Sequence, residues 1–217
     1  MIQIEACVES LEAAVAAAEG GAHRIELCAD LRVGGVSPGK ALLEACLARL
    51  AIPVFVMVRP RPGDFHYSAR EHATMLDEIR RVTAAGAHGI VTGTLRSDRR
   101  VNDARTRDLV AAARPRPVTF HRAFDDCPDS ARALETLIAL GVTRVLTSGG
   151  APTAQEGAAK IAQLVRLAAG RIGILAGGGV NGSNVAALVR GSGVREVHLS
   201  TKDADKIRRV IEVLLQP

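Results

Sequence analysis

A handful of short strings place reactive side chains two residues apart at the ends of apolar runs. Glu5-Ala6-Cys7 and Glu26-Leu27-Cys28 each set a carboxyl beside a thiol. Arg59 closes the run Pro53–Arg59, Thr119-Phe120-His121 adds an imidazole, and Glu196-Val197-His198-Leu199-Ser200 adds another. In extended chain, alternate residues share a face, so Glu5 joins Cys7, Glu26 joins Cys28, and Glu196 joins His198 and Ser200. Carboxylates, a guanidinium and imidazoles on one rim could move protons on a bound molecule. His121 is the first candidate acid/base, because an imidazole titrates near neutrality. A buried carboxylate is costly unless paired, which makes Arg59 the expected partner of Glu5 or Glu26. The same residues also read as a structural ion-pair layer, since buried networks shift pKa values without doing chemistry.

A second motif is Ala176-Gly177-Gly178-Gly179-Val180-Asn181, with Ser148-Gly149-Gly150 as a weaker companion. Glycines leave backbone N–H groups free to face an anion, and a helix N-terminus adds positive potential. Asn181 is placed to cap such a helix. A tight turn that needs positive φ is the plain alternative.

The third motif is the thiol pair. If Cys7 and Cys28 end neighbouring strands about 4.8 Å apart, their sulfurs can approach, and two thiolates suit a soft ion such as Cu(I). Cysteine also packs as a small hydrophobe. Cys46 and Cys127 carry no evident role, and no C-x-x-C pair occurs. His23 and His88 precede strands at the opposite pole, His72 lies on a helix face, and His66 follows the third strand.

A repeating rhythm must position these groups. Glycine, a short link and an apolar strand recur at Gly21-Ala-His-Arg-Ile-Glu-Leu-Cys28, Gly86-Ala-His-Gly-Ile-Val-Thr-Gly93, Gly141-Val-Thr-Arg-Val-Leu-Thr-Ser148 and Gly193-Val-Arg-Glu-Val-His-Leu-Ser200. Between them stand Ile2–Cys7, Pro53–Arg59, Pro117–Arg122 and Arg171–Ala176, which makes eight strands. Helices are expected over Leu11–Glu19, Gly39–Leu50, Ala69–Ala85, Ala104–Ala113, Ser130–Leu140, Ala154–Ala169, Ser183–Arg190 and Asp203–Leu215. Short β-branched strands separated by helices argue a parallel sheet, and eight such units close most naturally into a single (β/α)8 TIM barrel over residues 1–217. An open doubly wound sheet is the alternative, but no G-x-G-x-x-G follows the first strand. Barrel chemistry sits at the C-terminal strand ends, where the three motifs fall, and phosphate often binds after strands seven and eight.

Composition narrows the functions. The 217 residues are 47% hydrophobic and 2% aromatic, with a net charge of +5. Twenty-four of the 28 cations are scattered arginines, and five aromatics are too few for a base-stacking platform, so no nucleic-acid partner is expected. No apolar run is long enough for a membrane span, and the first residues lack a signal-peptide pattern. A cytoplasmic protein with free thiols is the expectation, as is a C2 homodimer.

The motifs together resemble the CutC family of copper homeostasis proteins. The resemblance rests on Gly21–Cys28, Val58-Arg-Pro-Arg-Pro-Gly-Asp-Phe65 with Tyr67-Ser68, Pro117-Val-Thr-Phe-His-Arg-Ala-Phe-Asp125, Arg144–Gly149, Gly177–Val180 and Glu196-Val-His198, in order. It implies a TIM barrel, a cytoplasmic location and Cu(I) held by thiols that correspond to Cys7 and Cys28. Two departures stand out: Pro62 occupies a usual glycine position, and Ser200-Thr-Lys-Asp203 leads almost directly into the last helix where relatives carry a longer segment. Three readings follow. The chain is a copper(I)-binding homeostasis protein; or it is an enzyme or binder for a small anionic or phosphorylated metabolite, with Glu5, Glu26, Arg59, His121 and His198 at its mouth and Gly177, Gly178, Gly179, Ser148 and Gly149 on the anion; or it is a scaffold whose mouth is blocked and inert.

Overall fold

The computed structural model describes residues 1–215. Eight strands, β1 (Gln3–Val8), β2 (Arg24–Leu27), β3 (Val54–Met57), β4 (Gly89–Thr92), β5 (Val118–Phe120), β6 (Arg144–Thr147), β7 (Gly173–Gly177) and β8 (Glu196–Ser200), alternate with helices α1 (Leu11–Glu19), α2 (Lys40–Arg49), α3 (Ala69–Ala84), α4 (Asp103–Ala113), α5 (Ser130–Ala139), α6 (Ala158–Ala168), α7 (Val185–Ser192) and α8 (Ala204–Leu215). All strands run parallel and close in chain order, with β8 pairing back to β1. This is the (β/α)8 barrel that the repeating rhythm predicts.

Local chemistry explains the boundaries. Ser10, Asn102 and Asp129 cap α1, α4 and α5 by accepting from a first-turn amide. Ser68 and Glu71 form a reciprocal capping box on α3, and such a cap contributes about 1 kcal/mol. The outward-facing strand residues Ile4, Ile25, Leu27, Val56 and Val197 are buried beneath the helices. Burial of each such side chain stabilises by about 1.5–3 kcal/mol. The inner face differs: Glu5, Arg24, Glu26, Thr119 and His198 are buried there. A smaller apolar group of Cys7, Cys28, Phe55, Met57 and Val91 fills the remainder of that interior.

Two boundaries depart from expectation. Asn181 does not cap the helix after β7, which starts at Val185. Its side-chain oxygen instead accepts from the Ser183 amide and hydroxyl, closing a local turn. The helix after β6 starts at Ala158, not Ala154. Ala154 donates instead to the Gly178 carbonyl, which stitches the β6 loop to the triglycine loop.

Two inward glycines set the width of the barrel. A Cβ on Gly89 would lie 2.5 Å from the Phe55 ring, and one on Gly93 would lie 2.6 Å from Cε1 of His121. Both therefore make room for a large neighbour. Among the described residues, no helix is long and apolar enough to cross a membrane.

Candidate functional site at the barrel mouth

Strand register assembles the site. Glu5 on β1 stands opposite Arg24 on β2 and opposite His198 on β8. Cys7 stands opposite Glu26 on one side and Ser200 on the other. Side chains at paired positions on one face are neighbours, so an acid–base–thiol group forms without any loop.

Its lower layer is ionic. Arg24 Nε donates to Glu5 Oε2 at 2.5 Å and Arg24 Nη2 to Glu196 Oε2 at 2.8 Å; Arg144 Nε donates to the same Glu196 oxygen at 2.5 Å. The two guanidinium carbons lie 5.0 and 5.6 Å from the centre of the Phe55 ring. The expected pairing of Arg59 with Glu5 or Glu26 is thus corrected: Arg24 takes Glu5. The signal was present, since Arg24, Glu26 and Cys28 follow the same period of two. The ion-pair layer lies beneath the imidazole, carboxyl and thiol groups of the mouth rather than in place of them.

Above it lie His198, Glu26, Cys7 and Cys28. His198 Nδ1 donates to Glu5 Oε1 at 2.8 Å. Burial alone would raise the Glu5 pKa, but the His198 hydrogen bond and the positive charge of Arg24 outweigh it and hold the carboxyl at about 2. Burial works against protonation of His198, yet the charge of Glu26 and the bond to Glu5 raise its pKa overall. Glu26 is pushed up by burial, with His198 offsetting part of the rise. The Cys7 thiol donates to Glu26 Oε1 at 3.1 Å, and its sulfur lies 3.6 Å from Cys28 Sγ. The Cys28 contact, burial and the Glu26 charge push the Cys7 pKa well up, so its resting form is the thiol. Register corrects one detail: Cys28 lies beyond the level of Cys7, which is paired with Glu26, yet the sulfurs still meet.

The other wall carries Arg59 and His121. Arg59 donates to the carbonyls of Val33, Gly35 and Gly63 at 3.1, 2.9 and 2.9 Å. Among the described residues its Nε has no partner, and its guanidinium lies 4.9 Å from the Phe65 ring centre. His121 Nδ1 accepts the Ala123 amide at 3.2 Å, which leaves the proton on Nε2, and that nitrogen is buried without a partner among the described residues. Burial first, then the Arg59 charge, drive the His121 pKa down to about 3. The expectation that His121 titrates near neutrality is therefore corrected: it is a fixed neutral donor.

The glycine motifs separate. The amides of Ser148 and Gly150 donate to the Asp125 carboxylate, and the Gly149 amide donates to Thr147 Oγ1. Ser148 and Gly149 are therefore already satisfied by the chain's own groups and lose their place as anion binders. Asp125 and Arg122, which ties Asp125 to Ser148 Oγ, had no sequence signal beyond their string. Gly178 and Gly179 adopt positive φ of 109° and 74°, and their amides make no hydrogen bond among the described residues. Gly177 ends β7 beside His198.

A cavity of about 490 Å³ opens over this floor, lined by Cys7, Glu26, Arg59, His121, Gly178, Gly179 and His198, with Arg122 and Lys206 at its rim. An open mouth of this size disfavours the blocked scaffold. Glu5 and Cys28 lie behind this lining, and Ser148 and Gly149 stand apart from it.

The chain matches the model of the CutC family over residues 2–203. It is 47% identical over 201 residues to the copper homeostasis protein cutC homolog of Mus musculus, covering 93% of this chain and 74% of that protein. It is 46% identical over 201 residues to the family protein CutC of Pasteurella multocida, covering 93% and 82%. The crystal structure of a protein from Streptococcus agalactiae named for copper homeostasis, CutC, superposes with a TM-score of 0.89 at 33% identity, covering 93% of this chain and 99% of that one.

Proposed function

Because the chain belongs to the CutC family, we propose that it handles copper in the cytoplasm by binding Cu(I) between the thiolates of Cys7 and Cys28. The observation that carries this reading is the 3.6 Å separation of the two sulfurs, with Cys7 lining the mouth and Cys28 buried behind it. Soft thiolates select Cu(I) over harder ions, and a reducing compartment keeps both thiols free. Binding exchanges the thiol protons for the ion, so affinity rises with pH. The reading includes a two-fold homodimer, the commonest closed assembly, which sedimentation equilibrium would check. Anaerobic Cu(I) titration of the wild type against the Cys7→Ser, Cys28→Ser double variant tests the copper site. Loss of binding in the double variant is expected; equal binding by both proteins removes the reading.

A second reading draws on a separate observation, the unpartnered amides of Gly178 and Gly179, which line the same cavity as Arg59, a guanidinium with no carboxylate partner among the described residues. Donors without acceptors suit an acceptor-only group, so the mouth would bind, or act on, a small anionic or phosphorylated metabolite with its anion over Gly177, Gly178 and Gly179. His121 then donates from Nε2, and proton transfer falls to Glu26 or His198. Inorganic phosphate titrated against the backbone NMR spectrum should shift the Gly178 and Gly179 amides saturably. A spectrum unchanged at those two amides counts against it.

A further inference from the structure

We propose that Cys7, Glu26 and His198 form a second, distinct metal site, for a borderline divalent cation such as zinc, with one coordination position open to the cavity. The ligand atoms of these three residues lie within 4.8 Å of one another, and all three residues are buried. They come from β1, β2 and β8, which adjoin in the barrel, so a rigid scaffold rather than a loop holds the set.

Three independent features point to an ion of this class. The first is the donor chemistry: one thiolate, one imidazole and one carboxylate make up the sulfur, nitrogen and oxygen set of zinc, whereas a carboxylate adds little for Cu(I). The second is an orphan: Glu26 Oε2 is buried with no hydrogen-bond partner among the described residues, and buried polar atoms ordinarily have one. A cation beside it would satisfy that oxygen. The third is orientation. Glu5 holds Nδ1 of His198 at 2.8 Å, which leaves Nε2 as the ligating nitrogen. A carboxylate behind a histidine in this manner fixes the ring and raises its basicity toward a metal.

Three protein ligands with a fourth position open are the pattern of reactive zinc sites; structural sites are closed by four. The open side here faces the cavity that Arg59, His121 and Gly178 also line. Occupation forms metal–sulfur, metal–nitrogen and metal–oxygen bonds at Cys7 Sγ, His198 Nε2 and the Glu26 carboxylate. The thiol proton and any proton on Nε2 or on the Glu26 carboxyl pass to solvent, and no electron is transferred.

The site shares Cys7 with the proposed copper site but not Cys28, so the two can be told apart. Zinc affinity would be measured by chelator competition on the wild type, Cys28→Ser and Glu26→Gln proteins, with cobalt(II) as a spectroscopic substitute and circular dichroism as the check on folding. Cys28→Ser should retain zinc and lose Cu(I). Glu26→Gln should weaken zinc by more than about tenfold and still take up Cu(I), because both thiols remain. The cobalt form of the wild type should show a thiolate charge-transfer band, a readout that does not depend on any variant folding. Absence of that band overturns the proposal. So does zinc affinity that survives Glu26→Gln but falls with Cys28→Ser, because the thiol pair would then be the only site.

Discussion

Glu5 and His198, 193 residues apart in the chain, meet at 2.8 Å because β8 closes the barrel against β1. The contact joins the ionic layer below to the thiol layer above, since the other oxygen of Glu5 accepts from Arg24. A change at Glu5 is therefore felt on both sides.

Glu5→Gln is expected to lower stability by about 3 kcal/mol, the usual cost of leaving one member of a buried pair uncompensated. Urea unfolding would measure it. The paired change of Glu5→Gln with Arg24→Met should recover part of the loss, because it removes the stranded charge. A double variant less stable than the single would contradict this account of the layer.

Acid should destabilise the protein partly through His121. Its folded pKa is about 3, below the unfolded value near 6.5, so the unfolded chain binds the extra proton between those values. Stability from this group is complete above pH 6.5 and falls as the pH drops toward 3, by an amount on the order of a few kcal/mol. His121→Leu should flatten that part of the profile of unfolding free energy against pH. An unchanged slope in the variant would place the acid sensitivity elsewhere.

Asp125 fills its loop as a bound anion would. Its carboxylate accepts from Thr147 Oγ1 at 2.5 Å and from the Ser148 and Gly150 amides at 3.1 Å. Asp125→Ala strands these donors and should cost about 3 kcal/mol. Added formate should restore part of the thermal stability of the variant and do nothing for the wild type. Equal responses of the two melting curves would show that the loop does not need the carboxylate.

The barrel was legible because a glycine-led strand recurs four times, with another strand between each pair and helices throughout, and closure then follows from parallel crossovers. The inner-face set of Glu5, Cys7, Glu26 and His198 was legible from a period of two. What strings alone could not convey is register. Arg24 displaced Arg59 as the partner of Glu5 because β1 and β2 align Glu5 with Arg24, a pairing set by the stagger of the closed barrel. The fate of Ser148 and Gly149 was likewise hidden, because the carboxylate that takes the Ser148 amide arrives from the turn after β5 and the Gly149 amide turns to Thr147 Oγ1.

Arg59 clasps carbonyls from two different loops, Val33 and Gly35 after β2 and Gly63 after β3. A single guanidinium thereby makes these loops one cooperative unit. Fluctuations that uncover Cys28, against which Gly35 packs, must release both loops together, so their amides should exchange with deuterium at a common rate, and the entrance behaves as one leaf hinged on a single side chain.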